Sequence, residues 1–583
     1  MKLKKLPLLL IPALFSLAAC NTSTSLTSRN TTNTTNSSTT NSTLVVTSAV
    51  TSEANTTSID TSASYFDSGD LDNSEDSTSG TISLNGTSGT STTTLATVNS
   101  GVVTIAGEGN FEITGTFNGY IVVDASSTSK VTLTLNNANI TSSNFAPIYV
   151  KNADKVTLYL KNSNSLKNTS SFTQIDSNNV DGALYSKDDL MIKGNGSLEV
   201  TSSIHGIVAK DDLKLVSGTI KITASGGHGI DANDSVRNSG AELEITSAKD
   251  GIHVENTDDT TLGYFYMDGG KVDINASYDG IDTSCYIYTN GGEYNITLGG
   301  GSSKSASSSN STKGLKSNGE ITLNAGTYEI ASADDAIHSN YNININGGTY
   351  TLSSGDDGIH ADSNLIIADG TVKIKKSYEG IEATSINISG GNISVVASDD
   401  GLNAAGGNDS SSMGGRIGQG GFASSSGTIN ISGGELYVNS AGDGVDSNGN
   451  LYVSGGTTFV EGPTDNGNGP LDYDGTGSIT GGTFVAIGSS GMAMNFSTAS
   501  QGSALITVSG KSGDKIACSN YFSFTSSKSY ASVLVSCPSF AKGSTYSITT
   551  SSNSTSVTFS SYIYGSSSQG GGQFPDQGGR MFR

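Results

Sequence analysis

Residues 354–364 read SGDDGIHADSN, and close variants of this stretch return along the chain. Aligning its glycine gives Gly182, Gly206, Gly229, Gly251, Gly280 and Gly314, then Ala336 in the same slot, then Gly358, Gly380, Gly401 and Gly444. From Gly314 to Gly380 each step is 22 residues, and a fixed period of that size marks a stack of similar units. Within one unit, GIHA, NLIIA and TVKIKKS offer three short alternating strands separated by turn residues. A leucine-rich repeat of similar length needs a leucine scaffold that is absent here, whereas three strands per repeat is the layout of a parallel β-helix. Ile359, Leu365, Ile367, Val372 and Ile374 should then point into the core and stack on their equivalents in neighbouring coils.

The composition agrees with an all-β solenoid. There are 74 Gly, 7 Pro and no Trp among 583 residues, and abundant Ser, Thr and Asn favour short strands and tight turns over helices. A net charge of -23 argues against nucleic-acid binding, which needs clustered Lys and Arg, and suits cations. Steps longer than the repeat read as loops, the largest at 299–312 and 405–427. The second contains GGRIGQGG, which lacks the lysine and the strand-to-helix context of a phosphate-binding loop and reads as a surface loop.

The N-terminal residues 1–19 carry Lys2, Lys4 and Lys5 and then an apolar run too short to span a bilayer permanently, as in a secretory signal. Residues 17–20, LAAC, resemble a bacterial lipobox, which makes Cys20 the lipidation site and anchors the chain without a transmembrane helix. Residues 20–80 are dominated by Ser, Thr and Asn and read as a disordered tether. Residues 81–180 carry strands without the motif and are expected to form the N-terminal cap and first coils. Residues 181–495 form the repeat region, 496–564 a C-terminal β cap and 565–583 a disordered tail. Cys518 and Cys537 lie 19 residues apart in the cap, consistent with a disulfide in an exported protein; Cys285 is left over.

The motif also carries the chemistry. The aliphatic residue after the glycine points inward, so its neighbours are expected to point outward in two files stacked at about 4.8 Å per coil. The position before the glycine reads Asp181, His205, His228, Asp250, Asp279, Lys313, Asp335, Asp357, Glu379, Asp400 and Asp443. The position after the aliphatic residue reads Asp231, His253, Asp282, Lys316, His338, His360, Glu382, Asn403 and Asp446 from Gly229 onward. All 5 histidines fall in these files. Carboxylates at that spacing repel by about 3 to 4 kcal/mol per pair at an effective dielectric near 20, so something must offset them. Calcium, which takes six to eight oxygens in loose geometry, is the expected ion. The metal candidates are Asp250, Asp279, Asp282, Asp335, Asp356, Asp357, Glu379, Glu382, Asp399, Asp400, Asp443 and Asp446. Asp335 with His338, and Asp357 with His360, leave a transition metal open. A solvated acidic edge with raised pKa values is the alternative to any metal.

The lipobox, the Ser/Thr tether, the repeats and the turns Gly347-Gly348-Thr349, Gly390-Gly391 and Gly433-Gly434 together resemble bacterial surface proteins described as carbohydrate-binding domain-containing. That family is similar to pectate lyases, and the resemblance implies a right-handed, single-stranded parallel β-helix with bound calcium. It covers residues 181–491 well and the flanks poorly. The implied function is a monomeric lipoprotein on the extracellular face of the cell membrane that binds an acidic or plant-type polysaccharide through its calcium-loaded face. Tyr278 and Tyr378, each preceding the acidic residue, are candidates for stacking on sugar rings. A calcium-dependent polysaccharide lyase is the alternative; it needs a base within reach of an acidified proton, and Lys313 and Lys316, which interrupt the acidic files, are the candidates. Their simpler role is as counter-charges. A glycoside hydrolase is disfavoured because no single carboxylate pair stands out, and a structural stalk or adhesin remains the reading that involves no sugar.

Overall fold

The structure, a computed structural model, describes residues 54–304, 310–405 and 427–565. Residues 1–19, Cys20, most of the GGRIGQGG loop and the tail after 565 lie outside the described residues.

The chain winds into a parallel β-helix. Each coil gives one strand to each of three parallel sheets, here called the first, second and third in chain order from the motif. In the coil containing Ile337–Ser339 (first sheet) these are followed by Ile343–Ile345 (second) and Thr349–Ser353 (third). Each pairs in register with its counterpart one coil on, Ile337 with Ile359, Ile343 with Leu365 and Thr349 with Thr371. No helix occurs among the described residues. The core is one continuous file of stacked aliphatics, and Ile359, Leu365, Ile367, Val372 and Ile374 are all fully buried in it, as the repeat predicts. Three buried tyrosines, Tyr294, Tyr328 and Tyr350, stack within the same core with centroids 4.4 and 4.7 Å apart.

The motif glycine has a steric cause. A Cβ on Gly229, Gly280, Gly358, Gly380 or Gly401 would lie 2.3 to 2.6 Å from the carbonyl oxygen of the glycine in the following coil, inside van der Waals contact. These carbonyls accept hydrogen bonds from the aliphatic residue of the preceding coil, for example Ile359 N to Gly380 O at 3.2 Å. At this corner these coils approach too closely for a side chain, and only the coil of Ala336 accommodates a methyl in this slot.

The ends are closed differently. At the N-terminus, the strand Gly80–Gly86 pairs parallel with Gly109–Asn118 and folds back antiparallel on Ser88–Ser91. At the C-terminus, Tyr530–Ser536 runs antiparallel to the last coil and to Ser503–Gly510. A four-stranded sheet packs there with its own apolar cluster. Both devices cover strand edges that would otherwise invite pairing with other chains.

Two expectations are corrected. The tether does not extend to residue 80: residues 54–79 lie along the outer face of the second sheet as a strap. Asn55 N donates to Asn318 O at one end, and Ser79 N donates to Asn110 O at the other. Tyr65 and Phe66 are buried against Tyr264, Tyr266, Tyr286 and Tyr288, and Asp70 pairs with Lys155 and Lys214, each at 2.6 Å. A few apolar and acidic residues within the Ser/Thr-rich stretch suffice because the solenoid offers a matching surface. The second correction concerns Cys518 and Cys537, which are free thiols, like Cys285. Cys518 and Cys537 pack as small apolar groups in the cap cluster.

Candidate functional site

The motif files lie at the corner between the third and first sheets, and they are not the outward strip expected from strand alternation. Asp250, Asp279, Asp335, Asp357, Glu379 and Glu382 are buried, and Asp282, Asp356, Asp399, Asp400, Asp443 and Asp446 are half-buried. The reason is a side-chain ladder. His205 Nδ1 accepts from His228 N, His228 Nδ1 from Asp250 N, Asp250 Oδ1 from Asp279 N and Asp279 Oδ1 from Lys313 N. Further along, Asp335 Oδ1 accepts from Asp357 N, Asp400 Oδ1 from Asp443 N and Asp443 Oδ1 from Gly469 N. Each residue thus turns along the solenoid axis to satisfy the next coil's backbone, and the side chains cover one another.

Through the coils of Gly229 to Gly358 cations interleave with the acids of this file, although burial still raises Asp279 to about 6 and Asp357 well above the usual carboxylate range. His253 Nδ1 stands 3.3 Å from both Asp250 and Asp282, and, against the effect of burial, these carboxylates and Glu255 raise its pKa to about 12. Lys316 contacts Asp279 at 2.9 Å and Asp282 at 3.3 Å; burial opposes its charge but these two aspartates raise its pKa. Lys313 reaches Asp334 and Asp335 at 3.2 and 2.5 Å. His360 Nδ1 lies 3.0 Å from both Asp357 and Glu382, and its Nε2 lies 3.1 Å from Asp362. His338 spends one nitrogen on Asp335 and the other on Asn340, each at 2.9 Å. Both imidazoles thus have both nitrogens in contact with protein groups, and the ligand atoms of Asp335, His338 and His360, and of Asp357, His360 and Glu382, lie within 4.8 Å of one another.

Beyond Gly380 the acidic residues continue, and neither file holds a further Lys or His. Oxygens of Asp400, Asp443 and Asp446 lie within 4.8 Å of one another. Burial first, then mutual repulsion, pushes Asp400 up to about 9 and Asp446 to about 7. Asp443 rises to about 6 through burial and then the charges of Asp472, Asp399 and Asp465, despite the Gly469 N–H it accepts. Burial and the Glu382 charge raise Glu379 to about 8. Gly442 makes the room: a Cβ there would sit 2.3 Å from Asp400 Oδ1 and 2.4 Å from Asp399 Oδ1. Asn403 completes the picture. It is 6% exposed, its Nδ2 donates to Glu379 at 2.7 Å, and its Oδ1 is sealed from solvent without a hydrogen-bond partner. Asp446 is the register partner of Asn403 in the following coil.

The donor set at this corner is therefore all oxygen: three carboxylates and one unsatisfied amide. That fits a hard cation such as calcium and suits a thiolate- or imidazole-seeking metal poorly.

The remaining sequence candidates are dispersed. Tyr278 and Tyr378 are half-buried, and the Tyr378 hydroxyl is held by Asp399. The structure does not bring these two tyrosines together. Sequence reasoning missed the split of the files into a part interleaved with Lys and His and a part that holds neither. The signal was present in the order of residue types, since the last Lys or His in either file is His360.

A family model described as carbohydrate-binding domain-containing protein matches residues 99–358. A protein of Acetivibrio thermocellus with the same description is 32% identical over 203 residues, which is 34% of this chain and 71% of that protein. The chain belongs to this family of carbohydrate-binding domain-containing proteins. Among solved structures, the polysaccharide lyase-like protein from C. thermocellum, as a gadolinium derivative, is 26% identical. The match covers 51% of this chain and 96% of that one, with a TM-score of 0.34. The span matched by the family model ends at Gly358, before the coils that carry Asp400, Asp443 and Asp446.

Proposed function

We propose that this protein binds polysaccharide outside the cell as a lipid-anchored lipoprotein, and that calcium held by Asp400, Asp443, Asp446 and Asn403 Oδ1 is required for it to do so. Family membership supports the sugar as ligand, and the lipobox at Cys20 supports the anchor. The observation that carries the calcium is the convergence of three carboxylates whose protons are retained well above the usual carboxylate range, beside a buried amide oxygen with no partner. A divalent cation would supply the charge that Lys313, Lys316, His253 and His360 supply further up the file. Once bound, it would fix the backbone of the coils between Gly380 and Gly469 through the ladder bonds of Asp400 and Asp443.

The lyase alternative is disfavoured on the same physical grounds. A base must be able to lose its proton near neutral pH, and Lys316 is held protonated by Asp279 and Asp282, while Lys313 is buried against Asp334 and Asp335.

The test has two parts. Calorimetric titration of calcium into chelator-treated protein should give a saturable site, which Asp400→Asn with Asp443→Asn weakens at least about tenfold, or about 1.4 kcal/mol. Retention on a panel of insoluble and gelled polysaccharides should be seen with calcium and reduced with chelator. Equal calcium affinity in the variant would refute the site, and failure to bind any polysaccharide in either condition would refute the function.

A further inference from the structure

The outward row of the second sheet is one unbroken register file: Lys214, Arg237, Tyr266, Tyr288, Thr322, Asn344, Ile366, Asn387, Asn430, Tyr452 and Ser478 each pair with the next. The strap covers its first part. There Tyr65 lies flat on Tyr266, with ring centroids 3.7 Å apart and planes 11° apart, while the strap backbone runs along the solenoid axis. The covered half thus shows what the face accommodates: an extended chain lying lengthwise, with a planar ring stacked on the row.

The part that the strap leaves open has a different composition from the rest of the molecule. From Asn344 to Ser478 the row holds amides, hydroxyls and two exposed apolar side chains, Ile366 at 37% and Tyr452 at 41% exposure. The row itself holds no charged residue, in a chain whose net charge is -23, although its first amide, Asn344, donates to Glu320 Oε1 at 2.9 Å. The amides are pre-ordered, since Asn430 Nδ2 donates to Asn387 Oδ1 at 2.9 Å. Ile366 and Tyr452 are three coils apart, or about 14 Å at the usual strand spacing.

We propose that this open face, Asn344–Ile366–Asn387–Asn430–Tyr452, is where an extended, uncharged polysaccharide lies. The inference rests on the carbohydrate-binding reading above and narrows it to neutral glycans. Hydroxyls along a sugar chain are matched by amides, which both donate and accept. The apolar faces of the rings are matched by Tyr452 and Ile366, in the manner that Tyr65 matches Tyr266. A polyuronate would meet no cation on this row.

Retention of the full chain is measured on an insoluble neutral glucan, a neutral mannan and a gelled polygalacturonate, at low and high salt. Tyr452→Ala and Asn430→Ala are the test variants. Tyr521→Ala, which removes another exposed tyrosine (43% exposed) from the C-terminal cap, is the control. The expected result is salt-insensitive retention on a neutral polymer, weakened about tenfold by Tyr452→Ala and unchanged by Tyr521→Ala. Unaltered melting of the variants establishes that they are folded. Retention confined to the polyuronate, or neutral retention indifferent to both test variants, overturns this site and leaves the carbohydrate-binding reading standing. Absence of retention on all three overturns both.

Discussion

Asp400, Asp443 and Asp446 occupy the same places in the repeat as Asp250, Asp282 and Asp335, and differ from them only in their neighbours. Asp250 and Asp335 face imidazole or ammonium groups that hold their pKa values down against the effect of burial. The other three face one another and are pushed up to between about 6 and about 9. A carboxyl with a raised folded pKa keeps its proton in the folded chain after the unfolded chain has ionised. Folding then takes up protons between the unfolded value of about 4 and the folded values, and stability of calcium-free protein falls as pH rises through that window. Calcium must displace those protons, so its affinity rises with pH. Scanning calorimetry at about pH 5 and about pH 9, with calcium and with chelator, should show a calcium-induced rise in Tm that is much larger at the higher pH. Equal rises at both would mean that these carboxyls are not the ligands.

At the scale of the repeat, the first-sheet strand and the corner before it are the most constrained elements. The glycine there is set by contact between successive backbones. Gly401→Ala would place a Cβ 2.2 Å from Val438 Cγ1 and 2.5 Å from Gly444 O. Ala336 occupies the equivalent slot in its own coil at 0% exposure, so one coil accommodates the methyl and the penalty elsewhere is that of overpacking, about 1 to 3 kcal/mol. Urea unfolding should show a lower midpoint for Gly401→Ala; an unchanged midpoint would contradict the steric account. The two-glycine turns between the second and third sheets obey a different rule, since Gly348, Gly391 and Gly434 have φ of 95°, 83° and 78°, a region that favours glycine.

For the whole molecule, the strap decides how much of the second sheet is available. It is fastened by stacked tyrosines at its middle and by the Asp70, Asp72, Asn73 and Glu75 contacts nearer the cap. It also helps to cover Cys285, which shares the apolar cluster of Tyr65 and Phe66, while Thr260 O of a neighbouring loop lies 3.2 Å from its Sγ. Tyr65→Ala with Phe66→Ala should loosen the strap while leaving the coils intact, because the solenoid core does not include these two residues. Thiol labelling mapped by mass spectrometry should then show Cys285 reacting at least about tenfold faster, with Cys518 and Cys537 still protected in the cap. Labelling of Cys285 at the parent rate would show that the strap's aromatic contacts do not hold it.

The sequence by itself determined the coil. A motif that steps by 22 residues from Gly314 to Gly380, with three alternating strands in each step, permits little else, and the five core residues named from a single repeat are all buried. It also named Asp400, Asn403, Asp443 and Asp446 at the acidic corner, but not Asp472, the register partner of Asp446. What it could not determine was direction. Strand alternation placed those side chains outward, whereas Asp335, Asp400 and Asp443 are turned along the axis by a backbone N–H of the following coil, a partner some 22 residues or more away. The strap was illegible for a related reason: its Ser- and Thr-rich composition describes a disordered chain until a row of tyrosines, contributed by distant coils, gives Tyr65 and Phe66 somewhere to be buried. Local pattern records which residues repeat, and only the stacked coils decide which of them meet and which of those meetings lack a counter-charge.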